Sequence, residues 1–171
     1  VDEGLKAEVE GLLADRQVVL TIGALDGPRK RMDHLIEEVA RLEPRPHLVL
    51  LGQETPDTPR LRRLASAKLD DDWTMKSVPP EEVGRWVAAS DAFALASVSE
   101  GFGRAYIDAL GGGLPCVAHD GPVMRWVLGD LGTYADAELP GRFATALGEV
   151  LRSAGDEELR AHRRCSARKQ W

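Results

Sequence analysis

The chain has no asparagine anywhere in its 171 residues. That excludes N-linked glycosylation, whose acceptor is an asparagine side chain. Cysteine is scarce: Cys116 and Cys165 stand alone in the sequence. Two isolated cysteines match no zinc pattern, which needs paired ligands at short spacing. Cys116, inside Leu114-Pro115-Cys116-Val117-Ala118, reads as a small buried hydrophobe, and both thiols are expected to be structural. Positive charge is also short, with 22 basic against 28 acidic residues and a net charge of −6. A surface of that sign argues against nucleic acid as the partner. No apolar run approaches the ~20 residues that cross a bilayer. Residues 1–13 mix charged and apolar side chains, so no signal peptide is expected and the chain reads as a cytoplasmic, reduced protein.

What remains is enough for a packed core. The sequence is 43% hydrophobic and 29% charged, too apolar for disorder and of a length that suits one domain, or one half of a two-domain protein. We read residues 1–171 as that single domain, with a leading helix over 1–15 and a helical tail over 156–171.

Between these ends two patterns alternate. Val18-Val19-Leu20-Thr21-Ile22 is a short run of strand length. Met32, Leu35, Ile36, Val39 and Leu42 then recur at helical spacing until Pro44 and Pro46 stop them. The sequence 47–52 repeats the strand pattern, and Thr58-Pro59 opens a second helix. Further strands are expected at 73–77, 92–96, 116–118 and, weakly, 132–134. Helices are expected from Pro79-Pro80, over 103–110, and over 139–151. Strands apolar on both faces that alternate with amphipathic helices predict a doubly wound, Rossmann-like parallel sheet of about six strands with helices on both faces. In such folds ligands sit beyond the carboxyl ends of the strands, near the switch in strand order. That directs attention to residues 23–31, 52–58, 77–80, 97–103 and 119–123.

The richest stretch is Ser99-Glu100-Gly101-Phe102-Gly103-Arg104-Ala105-Tyr106-Ile107-Asp108. A strand ends, a glycine-flanked turn follows, and a helix begins near Gly103. The free amides and dipole of a helix start attract anions, and glycines at 101 and 103 let a phosphate approach the backbone. Glu100 lies just before the helix and Asp108 two turns along it. Carboxylates beside an anion site make sense as acceptors for sugar hydroxyls; taken alone, both are equally readable as solvated acids. Arg29-Lys30-Arg31 stands at the start of a helix, where cations are mildly unfavourable, which points to an anionic partner over a merely solvated face.

Other features have plainer readings. Asp70-Asp71-Asp72 contains Asp-x-Asp but sits before a strand and reads as a solvated turn. Gly111-Gly112-Gly113 ends a helix and is no dinucleotide fingerprint. His34, His47 and His162 have no clustered partners, so no metal site is expected. His119 follows a strand and either lines the pocket or is structural. Trp73, Trp86 and Trp126 read as core residues.

Glu100-Gly101-Phe102-Gly103, an acid eight residues after the Glu, and Gly113-Leu114-Pro115-Cys116-Val117-Ala118 together resemble the nucleotide-sugar half of GT-B glycosyltransferases, family 4 type. Residues 23–31 are similar to that family's first loop, 80–92 to the segment feeding its fourth strand, and 129–132 to its last turn. The resemblance covers residues 15–171. It implies the carboxyl-terminal domain of a retaining, metal-independent glycosyltransferase with no cofactor beyond its donor, a nucleoside-diphosphate sugar. By that resemblance Glu100 is the catalytic-site acid on the donor-sugar hydroxyls and Asp108 holds the ribose. Gly23, Arg29 and Lys30, with the amides of Gly101, Phe102, Gly103, Arg104 and Ala105, meet the phosphates. Lys76, Ser77 and Val78 lie near the base.

Three positions depart from the family pattern: Asp108 stands for Glu, Ala24 for a frequent Arg, and Gly27 looks inserted. The resemblance also implies an amino-terminal acceptor-binding domain as partner, and allows a membrane-associated acceptor with the full enzyme peripheral to the inner membrane. This chain alone is then expected to transfer little or no sugar. The alternatives are a GT-B-like module that has lost donor binding and acts in domain or protein interaction, and a sugar-nucleotide epimerase of the same shape.

Overall fold

Two of the runs that are apolar at nearly every position, 47–51 and 92–95, become fully buried strands, because neither face of such a run tolerates water. In the computed structural model, which describes residues 16–170, β1 (Val18–Ile22) and β2 (His47–Leu51) lie in the middle of the sheet. They are joined by β3 (Trp73–Lys76), β4 (Ala92–Leu95), β5 (Cys116–His119) and β6 (Gly132–Ala135). All pairings are parallel and the order is β3-β2-β1-β4-β5-β6. The order therefore reverses between β1 and β4, the switch point at which α/β sheets of this kind hold their ligands. The leading helix read over residues 1–15 and Trp171 lie outside the described residues.

Seven α-helices accompany the strands among the described residues: α1 (Met32–Val39), α2 (Thr58–Leu69), α3 (Pro80–Ala88), α4 (Arg104–Gly111), α5 (Pro122–Leu128), α6 (Arg142–Arg152) and α7 (Glu157–Gln170). α1 packs on α2 and α6, whereas α4 packs on α3, α5 and α7. β5 touches α6 and also α4 and α5, so the sheet is covered on both faces. The sheet, its direction and its helical layers agree with the sequence reading.

Several boundaries and burials do not. α5 is an extra helix; Gly121-Pro122, with Pro at a first helical position, is its signal. α6 begins at Arg142, since residues 136–141 turn before it. Trp126 is not a core residue. It lies on the outer face of α5, 63% exposed, while Trp86 is fully buried and Trp73 half-buried. Cys116 is buried and burial pushes its thiol up, whereas Cys165 is exposed.

Two long-range contacts fix the helices that matter for the site. Tyr106 on α4 is buried against β4 and β5, where its hydroxyl lies 2.9 Å from the Leu95 carbonyl and 3.1 Å from that of Val117. Its ring packs edge-on against Phe93 at 4.9 Å. Burial raises its pKa well above the ordinary phenol range, so it stays a neutral donor that ties α4 to β4 and β5. Glu38 on α1 is fully buried and accepts the backbone N–H groups of Gly141 (2.7 Å) and Ala144 (2.9 Å). It thereby caps α6 from another element.

Candidate functional site: a cleft at the switch point

The first wall is built on β1. The chain leaves that strand at Gly23, whose N–H donates to the Leu51 carbonyl at 2.9 Å. Gly52 presses against the same point: a Cβ there would stand 1.6 Å from the Gly23 carbonyl oxygen. Gly52 has no room for a side chain. Over Gly23 runs the aliphatic stem of Lys30, whose Cδ and Cε would lie 3.3 Å from a Cβ at that glycine.

The intervening turn is held by Asp26, 6% exposed. Its Oδ1 accepts the N–H groups of Arg29 (3.0 Å) and Lys30 (2.8 Å), and its Oδ2 accepts Arg29 Nε (3.2 Å) and Nη2 (3.0 Å). Burial by itself would raise the Asp26 pKa; the two amides and the guanidinium outweigh it and hold the carboxyl below its usual range. Gly27, the residue that looked inserted, donates its N–H to Asp57 at 2.9 Å. Asp57 is also gripped by Arg60, which with that amide holds its pKa down to about 2.

The second wall comes from β4. Residues 97–103 turn into α4 through Gly103, at φ 72. A Cβ there would meet Met124 Cε at 2.8 Å, so the turn is seated directly on α5. Glu100 projects from this turn toward the first wall. Its Oε1 lies 2.6 Å from Lys30 Nζ, and the two side chains are 9% and 25% exposed. Between residues 28–31 and 98–101 opens a cleft of about 450 Å³.

The structure thus brings Gly23, Lys30, Glu100 and Gly101 together, 70 positions apart along the chain at the ion pair. Arg29 also borders the cleft, but its guanidinium is bound to Asp26. Phe102 is 41% exposed and meets Trp126 at 5.9 Å between ring centroids. Arg104 is exposed and Ala105 half-buried on the first turn of α4.

Asp108, further along that helix, is exposed; it does not line this cleft, and its carboxyl takes no hydrogen bond from the described residues. Partial burial raises its pKa against the pull of Arg104. Lys76 ends β3, two strands from β1, with Nζ 5.5 Å from the Trp86 ring centre. Ser77 is exposed and Val78 half-buried beside it. His119 Nδ1 accepts the Ala137 N–H at 3.1 Å, a structural tie.

Asp70 and Asp72 bind Arg45, and Asp72 also pairs with Arg16. Among the described residues no group of three His, Cys, Asp or Glu is placed to hold a metal ion, and no helix is long and apolar enough to cross a membrane. One residue of the first wall escapes the sequence reading: Asp26 was given no role in the site. Arg31 belongs to the basic run read as meeting an anion, but is absent from the phosphate contacts that the resemblance implies.

A parallel six-stranded sheet with an acid–cation cleft at its switch point has the architecture of one half of a GT-B glycosyltransferase. The chain belongs to the family "Glycosyl transferases group 1", whose profile matches residues 16–153. It is 28% identical over 159 residues to MMP alpha-(1->4)-mannosyltransferase of Mycolicibacterium hassiacum, covering 90% of this chain and 38% of that protein. The chain therefore spans well under half the length of this curated relative.

Among solved structures, Anabaena HepE in complex with UDP superposes with a TM-score of 0.82 at 18% identity, over 99% of this chain and 49% of that one. The catalytic domain of cholesterol-alpha-glucosyltransferase from Helicobacter pylori superposes with a TM-score of 0.79 at 19% identity, over 91% and 99%. At such identities these likenesses show the fold.

Proposed function

We propose that this chain is the donor-binding, carboxyl-terminal half of a retaining, metal-independent glycosyltransferase. It takes a nucleoside-diphosphate sugar as donor, and an amino-terminal domain holds the acceptor. The observation that carries this reading is the contact between Lys30 and Glu100 at the switch point, 2.6 Å apart beside the Gly101–Gly103 turn. A cation meets a leaving diphosphate there, the turn's amides add donors as negative charge develops, and a carboxylate accepts hydrogen bonds from the hydroxyls of the transferred sugar. The resemblance assigns Asp108 to the ribose and residues 76–78 to the base, although Asp108 lies outside the cleft between the two walls. The printed ligand of Anabaena HepE, UDP, supports a nucleotide in this cleft. Facing no acceptor, the chain by itself transfers little or no sugar. Its setting is the cytoplasm, where a membrane-associated acceptor is reached through the other domain.

Calorimetry with UDP, GDP and ADP tests the reading. One of them should bind below millimolar concentration, and Lys30→Ala and Glu100→Ala should weaken the donor sugar-nucleotide. Absence of heat with all three nucleotides at millimolar levels would sink it. One set of observations favours a second reading, a module for domain or protein interaction without donor binding. Arg29 is consumed by Asp26, Ala24 carries no charge, and Asp108 stands outside the cleft. The same titration decides between the two.

A further inference from the structure

Five charged side chains meet around the first wall of the cleft. Asp26 takes Arg29 through two nitrogens, and Glu100 takes Lys30 at 2.6 Å. Those two pairs cancel. Arg31 is left over: among the described residues its guanidinium has neither an acid nor a hydrogen-bond acceptor. It borders the cleft beside Glu100 and Gly101, and it also borders an adjoining cavity of about 470 Å³ next to Gly27 and Arg60. The net charge of this cluster is +1 and sits on Arg31.

The local structure works against an arginine at this position. Its backbone is left-handed, φ 50 and ψ 41, a conformation that suits glycine and strains a long side chain. It is also the N-cap of α1, where a cation opposes the helix dipole and no side-chain cap bond forms. Two costs fall on one residue, and no ion pair or side-chain hydrogen bond with the described residues offsets either. Strain that persists without local compensation belongs typically to a residue selected for what it binds.

We propose that Arg31 is the second phosphate-binding cation of this cleft, gripping the diphosphate of the nucleoside-diphosphate ligand beside Lys30. This rests on the ligand class of the functional reading above. A guanidinium suits the task because its planar fork gives two parallel hydrogen bonds to phosphate oxygens. Arg31 supplies the charge that Ala24 does not, while Arg29 is the structural member of the basic run: its guanidinium closes the turn that aims Lys30. An approaching diphosphate meets Arg31 as the one uncompensated cation of the cluster, with Lys30 available once Glu100 turns to the sugar.

The test is titration of the nucleoside diphosphate that the wild-type chain binds, with the matching nucleoside as a phosphate-free control, on Arg31→Ala, Arg31→Gly, Arg31→Lys and Arg29→Ala. Arg31→Ala and Arg31→Gly should weaken the diphosphate about tenfold, the worth of a charge-assisted contact, and leave the nucleoside unchanged. Arg31→Lys should recover part of the loss. Arg31→Gly should at the same time raise Tm by about 2–4 °C, because glycine relieves the left-handed backbone. A gain in stability with a loss of affinity is a pairing that a structural arginine cannot produce. Diphosphate affinity unchanged within twofold in both Arg31→Ala and Arg31→Gly would overturn the inference and leave the functional reading intact. A wild-type chain that binds no nucleoside diphosphate would overturn both.

Discussion

Glu38 Oε2 accepts the backbone N–H of Ala144 at 2.9 Å, across 106 positions of sequence. Its Oε1 accepts Gly141 N–H at 2.7 Å and Arg41 Nε–H at 3.1 Å, and the side chain is 1% exposed. A buried carboxylate with three donors is stabilising only as a complete set. Glu38→Ala should cost about 2–4 kcal/mol, because it strips the start of α6 of its acceptor and leaves two amides short of partners. Glu38→Gln should cost less, since one acceptor oxygen remains. Urea unfolding measures both, and an alanine variant within 0.5 kcal/mol of wild type, on the order of ordinary surface changes, would refute the capping role.

The Lys30–Glu100 pair predicts opposite effects for its two members. Lys30→Ala should weaken binding of a bare nucleoside diphosphate about tenfold, as expected for loss of a charged contact. Glu100→Gln should tighten the same ligand by about two- to fivefold, since it frees Lys30 from a part-exposed ion pair. It should also shrink the preference for the sugar-bearing ligand over the bare diphosphate. Competitive titration of the two ligands reads the ratio, and equal weakening by both substitutions would contradict this account.

His47, 4% exposed, places Nε2 2.9 Å from Thr74 Oγ1 across β2 and β3. Burial first, and then the charge of Arg16, hold its pKa below the usual 6.5. His34 is shifted the same way, by burial and then by Arg31, against the pull of Glu38, Glu37 and Asp33. Below pH 6.5 the unfolded chain therefore binds protons that the folded chain refuses. Stability is fully present above that pH and declines as pH falls beneath it. The urea midpoint should drop between pH 7 and pH 5.5, with a shallower slope in His47→Gln. An unchanged slope in that variant would remove His47 from the explanation.

Gly52→Ala should lower stability by more than about 2 kcal/mol, equivalent to roughly 4–8 °C in Tm. The added carbon would meet a backbone carbonyl, which has no rotamer to escape by. Because that carbonyl belongs to Gly23, under the Lys30 stem, nucleotide affinity should fall too. Scanning calorimetry and titration on one preparation check the pair of effects.

The centre of the sheet was legible because its four inner strands are largely apolar on both faces, a pattern that does not depend on knowing the partner strands. Lys30 and Glu100 were each legible as candidate site residues. Their contact was not, since it follows from β4 lying beside β1, and strand order is written nowhere locally. Glu38 shows the same limit more sharply. A glutamate among Leu35, Ile36 and Val39 reads as a surface position on an amphipathic helix, and only the arrival of α6 buries it. Trp126 fails in the opposite direction: its size argues for the core, but the seven-residue α5 turns Met124, Val127 and Leu128 inward and leaves it outside. Asp108 was legible as an acid at a set spacing, while its exposure depends on how α4 is rolled against α7, which spacing does not encode.

β1 and β4 share only two residue pairs, Val19 with Ala92 and Leu20 with Phe93, whereas β1 and β2 share five. That short register joins the two strands that precede the walls of the cleft, since Lys30 follows β1 and Glu100 follows β4. Their ion pair at 2.6 Å is therefore a second tie between the same two halves of the sheet, made beyond the carboxyl ends of the strands. A ligand that touches both side chains is held by both halves at once.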